Sequence, residues 1–346
     1  MAPMLPDRRR LGIHLPLGKG MLRAAERAGE IGATALQIFG DNPTAWRRRA
    51  EPPDEQVAFR ERIAALDIGP VAVHAAYLVN LTGPDAAFFE RSVAILAQDL
   101  RSAPGFGASY VNVHTGSHRD TGVGAGTARL AEGVVRTLDQ VPDGPDAATL
   151  VLENSAGGGY GLGTTVEELA GIAEAIARRG VADSRVAFCL DVAHLWAAGY
   201  RLSDPRETDS LVEAFDRHIG LGRLALIHLN DSRMGLGSRL DRHQHVGAGG
   251  IGEAGMAHLL THPRLAHVAY ILETPGMDDG YDAVNMDRAR ALAEGRPLVP
   301  LSPEAMNLPG SRARSAAPAG AGGSDRGSQA PESRTPALGG RRSLSP

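Results

Sequence analysis

The sequence predicts an α/β fold: a single (β/α)8 barrel of the TIM type over residues 11–300, after a lead-in (1–10) and before a disordered tail (301–346). Three observations predict it. Eight short apolar runs alternate with eight segments of helical spacing. Six of the runs end on a histidine or a carboxylate, namely His74, His114, Glu153, Asp191, His228 and Glu273, at intervals of 40, 39, 38, 37 and 45 residues. The runs are almost continuously apolar, as strands of a parallel sheet covered on both faces must be.

Strands are expected where such runs are bounded by Gly, Pro, Asp or Asn. The first two fall at 11–15 and 35–39, separated by a helix over 20–31. A helix over 54–66 leads to V-A-V-H at 71–74, and one over 85–102 to Y-V-N-V-H at 110–114. A helix over 126–138 precedes L-V-L-E at 150–153. Thr165 with Glu168 then forms a capping-box pattern that starts a helix over 166–179, ahead of A-F-C-L-D within 186–191. Asp204 followed by Pro205 starts a helix over 205–219 before L-A-L-I-H in the run 224–229. A helix over 254–260 leads to the last strand, 269–273, and a helix over 283–293 closes the series.

Alternation within the strands sharpens the expectation, because residues two apart share a face. Ala72 with His74, Asn112 with His114, Val151 with Glu153, Cys189 with Asp191, Leu226 with His228 and Ile271 with Glu273 should point into the barrel. The opposite set, Val73, Val113, Leu152, Leu190, Ile227 and Leu272, is uniformly apolar and should face the helices. The polar set therefore converges at the C-terminal end of the barrel, where this fold places its sites. Burying such groups unpaired is costly, so core packing does not explain them.

Composition narrows the setting. The formal charge of -4 gives no global positive field for a nucleic acid, so a polyanionic substrate needs a local basic groove or bound cations. Cys189 is the only cysteine, which excludes a disulfide framework and a cysteine-based zinc site and suits a reducing, cytoplasmic setting. No stretch has the length of a signal peptide core or a membrane span, so no membrane partner is expected. From residue 301 the chain turns to Pro, Gly, Ser, Ala and Arg, the composition of a disordered tail.

Two more clusters join the strand ends: D-V-A-H, with Asp191 and His194, and D-R-H, with Asp241 and His243. Five histidines and four carboxylates without a thiolate suit Zn²⁺ or Mn²⁺ better than Ca²⁺ or Mg²⁺. At three or four ligands per ion, nine residues suffice for two or three metals. Neighbouring ions can activate a shared water and neutralise a phosphate, so phosphoester hydrolysis uses the whole set. Sugar isomerisation, the alternative for a metal-bearing barrel, needs only one or two. His14 and His118 are candidates for supporting or substrate-contacting roles, whereas His218, His258, His262 and His267 read as surface residues. The runs A-G-G-G-Y-G-L-G and V-G-A-G-G-I-G lack the Lys-Ser/Thr ending of a phosphate loop and read as flexible barrel-top loops.

Taken together, V-H-A-A-Y-L-V-N-L, N-V-H-T-G-S-H, L-E-N-S-A-G-G-G, L-D-V-A-H-L-W-A-A-G-Y, I-H-L-N-D-S, D-R-H-Q-H-V-G-A-G-G-I-G and I-L-E-T-P closely resemble endonuclease IV (deoxyribonuclease IV), a family of apurinic/apyrimidinic endonucleases, over residues 10 to 295. The resemblance implies three zinc ions per chain, with Mn²⁺ an alternative at one position. His74, His114 and Glu153 would hold one ion, and Glu153 would bridge to a second held by Asp191, His228 and Glu273. His194, Asp241 and His243 would hold the third. It further implies a monomer acting on double-stranded DNA that contains abasic sites. The phosphodiester 5′ to the lesion is hydrolysed to a 3′-hydroxyl and a 5′-deoxyribose phosphate, Glu153 is catalytic, and blocked 3′ ends are trimmed as well. Tyr77, Leu78, His14 and Arg242 would contact DNA. The chain departs from the family at Thr44, where an arginine is usual, and at Ala75, Gly158 and Ala248, which replace Asp, Gln and Glu. Arg47, Arg48 and Arg49 are candidates to replace the missing arginine. A sugar isomerase or epimerase of the same barrel superfamily, and a DNA-binding protein without cleavage, stay open as other readings.

Overall fold

The computed structural model describes residues 5–308. Eight strands close into an all-parallel barrel: β1 (Leu11–His14), β2 (Ala35–Phe39), β3 (Val71–His74), β4 (Tyr110–His114), β5 (Thr149–Glu153), β6 (Val186–Asp191), β7 (Leu224–His228) and β10 (Ala269–Leu272). Each pairs with its sequence neighbours, and β10 closes the ring against β1. Two short strands, β8 (Asp231–Ser232) and β9 (His243–Gln244), form an antiparallel ribbon outside the ring, in what the sequence presents only as a loop.

Helices α1 (Met21–Glu30), α2 (Gln56–Ala65), α3 (Ala86–Ser102), α4 (Val123–Leu138) and α5 (Val166–Ala177) follow β1 to β5 in turn. After β6 come α6 (Val192–Ala198) and α7 (Pro205–His218), and the set ends with α8 (Gly252–Thr261), α9 (Tyr281–Ala293) and α10 (Pro303–Met306). Local chemistry starts several of them. Thr165 accepts the Glu168 amide at 3.2 Å, although Glu168 Oε2 reaches back to the Thr164 amide at 2.8 Å, one residue earlier than a capping box predicts. Asp204 caps α7 ahead of Pro205. Among the described residues, no helix is long and apolar enough to cross a membrane.

The interior splits into two apolar layers along the expected parity. Ala72, Val151, Cys189, Leu226 and Ile271 pack with Ala35, Ala187 and Ala269 inside the barrel. Val73, Val113, Leu152, Leu190, Ile227 and Leu272 belong to the layer beneath the helices. Gly12 has a packing reason: a Cβ there would lie 2.2 Å from the Ala35 carbonyl oxygen across the β1–β2 pair.

One expectation changes at the C-terminal end. Residues 301–308, placed in the tail by composition, are ordered: α10 docks where Arg233 Nη2 donates to the Met306 carbonyl at 2.7 Å and His245 Nε2 reaches the Ala305 carbonyl at 3.0 Å. Side-chain hydrogen bonds to its carbonyls, which composition cannot foresee, hold it. The rest of the expected tail, 309–346, lies outside the described residues. In the lead-in, Arg9 is buried and caps α8 by donating to the carbonyls of Leu260 (2.6 Å), Thr261 (3.2 Å) and His262 (2.8 Å).

Candidate metal centre

Strand register sets the site. His114 is level with Glu153, and Asp191 is level with His228, so terminal residues of adjacent strands meet at one height. Glu273 follows β10 immediately. His194 lies in the first turn of α6, whose N-cap is Asp191: Asp191 Oδ1 accepts the His194 amide at 2.8 Å. The β8–β9 ribbon pairs Ser232 with His243 and so carries Asp241 and His243 back over the mouth.

Glu153 is buried at the centre. Its Oε2 lies 3.5 Å from His74 Nε2 and 3.4 Å from His114 Nε2. Its Oε1 lies 3.4 Å from His228 Nδ1. His228 Nδ1 is also 3.4 Å from Glu273 Oε2 and 3.8 Å from Asp191 Oδ2. On the other side, Asp241 lies 3.2 Å from His194 Nε2 and 3.0 Å from His243 Nε2, and His243 Nε2 is 3.6 Å from Asp191 Oδ2. All nine sequence-derived residues are thus brought together, and three trios have donor atoms within 4.8 Å of one another: His74/His114/Glu153, Glu153/Asp191/His228 and Asp191/His194/His243.

The imidazoles are oriented as ligands. Nδ1 of His74, His194 and His243 lies 2.7, 2.9 and 2.6 Å from the carbonyls of Ala75, Asn154 and Glu273. A carbonyl only accepts, so each Nδ1 carries hydrogen and Nε2 faces the cluster. His228 is the reverse, with Nε2 held at 3.0 Å by Gln37 Oε1 and Nδ1 facing inward. Gln37 Nε2 donates to Glu273 Oε1 at 2.7 Å, which fixes the amide's orientation. Asn112 donates to Glu153 Oε2 at 2.6 Å and Asn230 to Asp191 Oδ2 at 3.0 Å. Glu153 Oε1 and His228 Nδ1 remain buried without a hydrogen-bond partner among the described residues. Orphaned polar atoms of this kind cost about 1–3 kcal/mol each. Cations among them would remove that penalty, and an oxygen–imidazole donor set without thiolate fits zinc.

The electrostatics are correspondingly extreme. Burial alone would raise the Glu153 carboxyl, but His114 and His228 outweigh it and hold it well below the usual range. Burial would lower His194, yet Asp191 and Asp241 push it up to about 10. His243 is likewise pushed up to about 9 against its burial by Asp241 and Asp191. Without ions, the cluster neutralises itself by holding protons on these rings.

The centre opens into a cavity of about 570 Å³. His14 lines it, with Nδ1 2.9 Å from Glu273 Oε1, and so does Tyr77, whose ring packs against Phe39 at 5.1 Å. Leu78 is half-buried and Arg242 exposed, and neither is among the lining residues. His118 stands apart, with Nδ1 accepting the Gly122 amide at 3.1 Å. The glycine run after the ribbon is organised from within: buried Asp231 accepts the amides of Gly249, Ile251 and Gly252 at 2.9–3.0 Å, leaving none of these three for a phosphate. Asp209, His258 and His262 form a separate group between α7 and α8. His262 is buried, contrary to its reading as a surface residue, and its Nδ1 accepts the Arg264 amide. Its ring hydrogen is therefore on Nε2, toward Asp209, and the group is a hydrogen-bonded clasp.

A family model described as "Xylose isomerase-like TIM barrel" matches residues 25–297. The chain is 39% identical over 283 residues to "Probable endonuclease 4" of Methanoculleus marisnigri, covering 82% of this chain and 98% of that one. It is 38% identical to the protein of the same name from Natronomonas pharaonis, covering 82% and 98%. The crystal structure of endonuclease IV from Thermus thermophilus superposes with a TM-score of 0.71 at 41% identity, covering 83% of this chain and 99% of that one. The chain belongs to the endonuclease IV family. A D-tagatose 3-epimerase-like protein, at 17% identity and a TM-score of 0.59, shares the fold alone.

Within this endonuclease IV chain, the supports of the ligands are what sequence reading missed. Gln37, Asn154 and Asn230 escape any strand-end rule. Gln37 alone carried a signal, since it shares the inward parity of Ala35 on β2 and is level with His14.

Proposed function

We propose that the protein is a zinc-dependent DNA repair endonuclease that hydrolyses the phosphodiester 5′ to an abasic site, giving a 3′-hydroxyl and a 5′-deoxyribose phosphate, and that it also trims blocked 3′ ends. The single observation that carries this reading is the nine-residue donor cluster, six of its members buried and His114, Asp241 and Glu273 half-buried, with its imidazoles turned inward, in a chain of this family. His74, His114 and Glu153 would hold one ion, Glu153, Asp191, His228 and Glu273 a second, and His194, Asp241 and His243 a third. Bound there, zinc would lower the pKa of a shared water and neutralise charge on the phosphate and the leaving oxygen.

The protein's own groups supply position. Asn112 fixes one oxygen of Glu153, so the other is presented at a constant angle to orient the attacking water and accept its hydrogen bond. His14 and Gln37 together hold Glu273. Tyr77 and Phe39 form an aromatic wall beside His74, suited to cover a sugar that lacks its base and to limit water entry.

The test is nicking of a duplex oligonucleotide carrying one abasic analogue, with and without chelator, alongside metal analysis. Cleavage 5′ to the lesion, lost on chelation and restored by zinc, with about three zinc ions per chain as the family resemblance implies, is the expected result. A zinc-replete protein that leaves this duplex intact refutes the proposal.

A further inference from the structure

Five carboxylates, from Asp41, Glu153, Asp241, Glu273 and Asp279, line the cavity, and Arg49 is the one arginine or lysine among the described residues lining it. Among the described residues lining the mouth, Arg49 is thus the one guanidinium that an entering phosphodiester meets.

The segment is built to present it. The Arg49 amide donates to Asp41 Oδ2 at 2.6 Å, and the Arg49 carbonyl accepts from Gln98 Nε2 of α3 at 2.9 Å, so its backbone is held on both sides. Asp41 Oδ1 also accepts the Asn42 amide at 2.8 Å, which ties the start of the same loop to its end. The neighbouring side chain turns the other way: Arg48 donates to the Asn42 carbonyl at 2.9 Å, reaches Asp99 at 3.4 Å, and is only 6% exposed. Arg48 is thus committed to the loop's interior. Arg47 is exposed and does not line the cavity. Of the three consecutive arginines, the structure directs one to the mouth.

We infer that Arg49 binds a phosphate of the DNA backbone at the rim of the cavity, positioning the strand for the reaction proposed above, on which this inference rests. The guanidinium presents a planar fork of donors that matches two phosphate oxygens. It also offsets the repulsion between the cavity's carboxylates and the incoming polyanion. The contact is made equally in the ground and transition states, so it sets binding and leaves the chemical step alone. Thr44, exposed and hydrogen-bonded to Asn42 Oδ1 at 2.9 Å, has no charge with which to do this.

The experiment uses zinc-replete full-length protein and the abasic duplex above, with Arg49→Ala, Arg49→Lys and Arg47→Ala. Arg49→Ala is expected to raise Kd and KM about tenfold, to leave kcat within about twofold, and to make the plot of log Kd against log salt shallower by about 0.9, one phosphate contact. Arg49→Lys should restore the slope while recovering Kd only in part, because a point charge replaces the fork. Arg47→Ala should match wild type. The inference is overturned if Arg49→Ala binds with wild-type Kd and slope, or if it lowers kcat with Kd and slope unchanged. If wild type itself neither binds nor nicks the duplex, the proposed function falls and this inference with it. Wild-type cleavage with an indifferent Arg49→Ala sinks this inference alone.

Discussion

Gln37 Oε1 accepts the Nε2 hydrogen of His228 at 3.0 Å, which leaves the other ring nitrogen of His228 facing Glu153, Asp191 and Glu273. Partners of this type commonly support metal affinity by about 10–100-fold. Gln37→Leu should weaken zinc binding by that order and lower activity at limiting zinc, with recovery at high zinc. Competition with a chromophoric chelator measures it, and unchanged affinity would show that the ring needs no such anchor.

Glu153 faces four histidines, His74, His114, His194 and His228, with two oxygens, one of them without a hydrogen-bond partner among the described residues. Glu153→Gln should reduce cleavage by more than about 100-fold, beyond the usual cost of losing a supporting group. The apolar layer below it is untouched, so far-UV circular dichroism should match wild type. Near-normal turnover would remove Glu153 from the chemistry.

Metal removal should expose a pH dependence of definite sign. In the metal-free protein His194 and His243 are held at about 10 and about 9, above the ordinary 6.5, because Asp241 and Asp191 outweigh burial. A group raised on folding contributes stability that is complete below its unfolded pKa and is lost as pH climbs through the folded value. The Tm of chelator-treated protein should therefore fall between about pH 6.5 and pH 10. Zinc must displace the same protons, so its affinity should rise over that window and the loaded protein should lose less Tm. A flat Tm for the metal-free protein across this range would contradict the proton-held cluster.

Far from the site, Arg9 satisfies three carbonyls at the end of α8. Arg9→Ala leaves buried acceptors unpaired at about 1–3 kcal/mol each, so unfolding free energy should drop by at least about 2 kcal/mol. Urea denaturation reads this directly. A variant as stable as wild type would mean that water replaces the guanidinium.

The barrel and its donor cluster were legible because period-2 alternation and strand endings are written in single residues: Val151 and Glu153 inward, Leu152 outward. Elements held by tertiary hydrogen bonds were not. The seven residues of α6 are too few for a helical period, and the β8–β9 ribbon pairs only two residues with two. Gln37 and Asn230 look like ordinary polar residues until the residues they orient are in place. Arg48 and Arg49 are indistinguishable in sequence, and only the loop's path separates one bound inside from one at the mouth.

The strict alternation on β3 to β7 ties site assembly to strand alignment. A slip of one residue on β5 would carry Glu153 out among the helices and bring Leu152 to the mouth, reversing every side chain on that strand at once. No small adjustment nearby could compensate. Zinc uptake by this chain would therefore report on the correctness of barrel closure, because a strand out of register takes its own ligand away from the mouth.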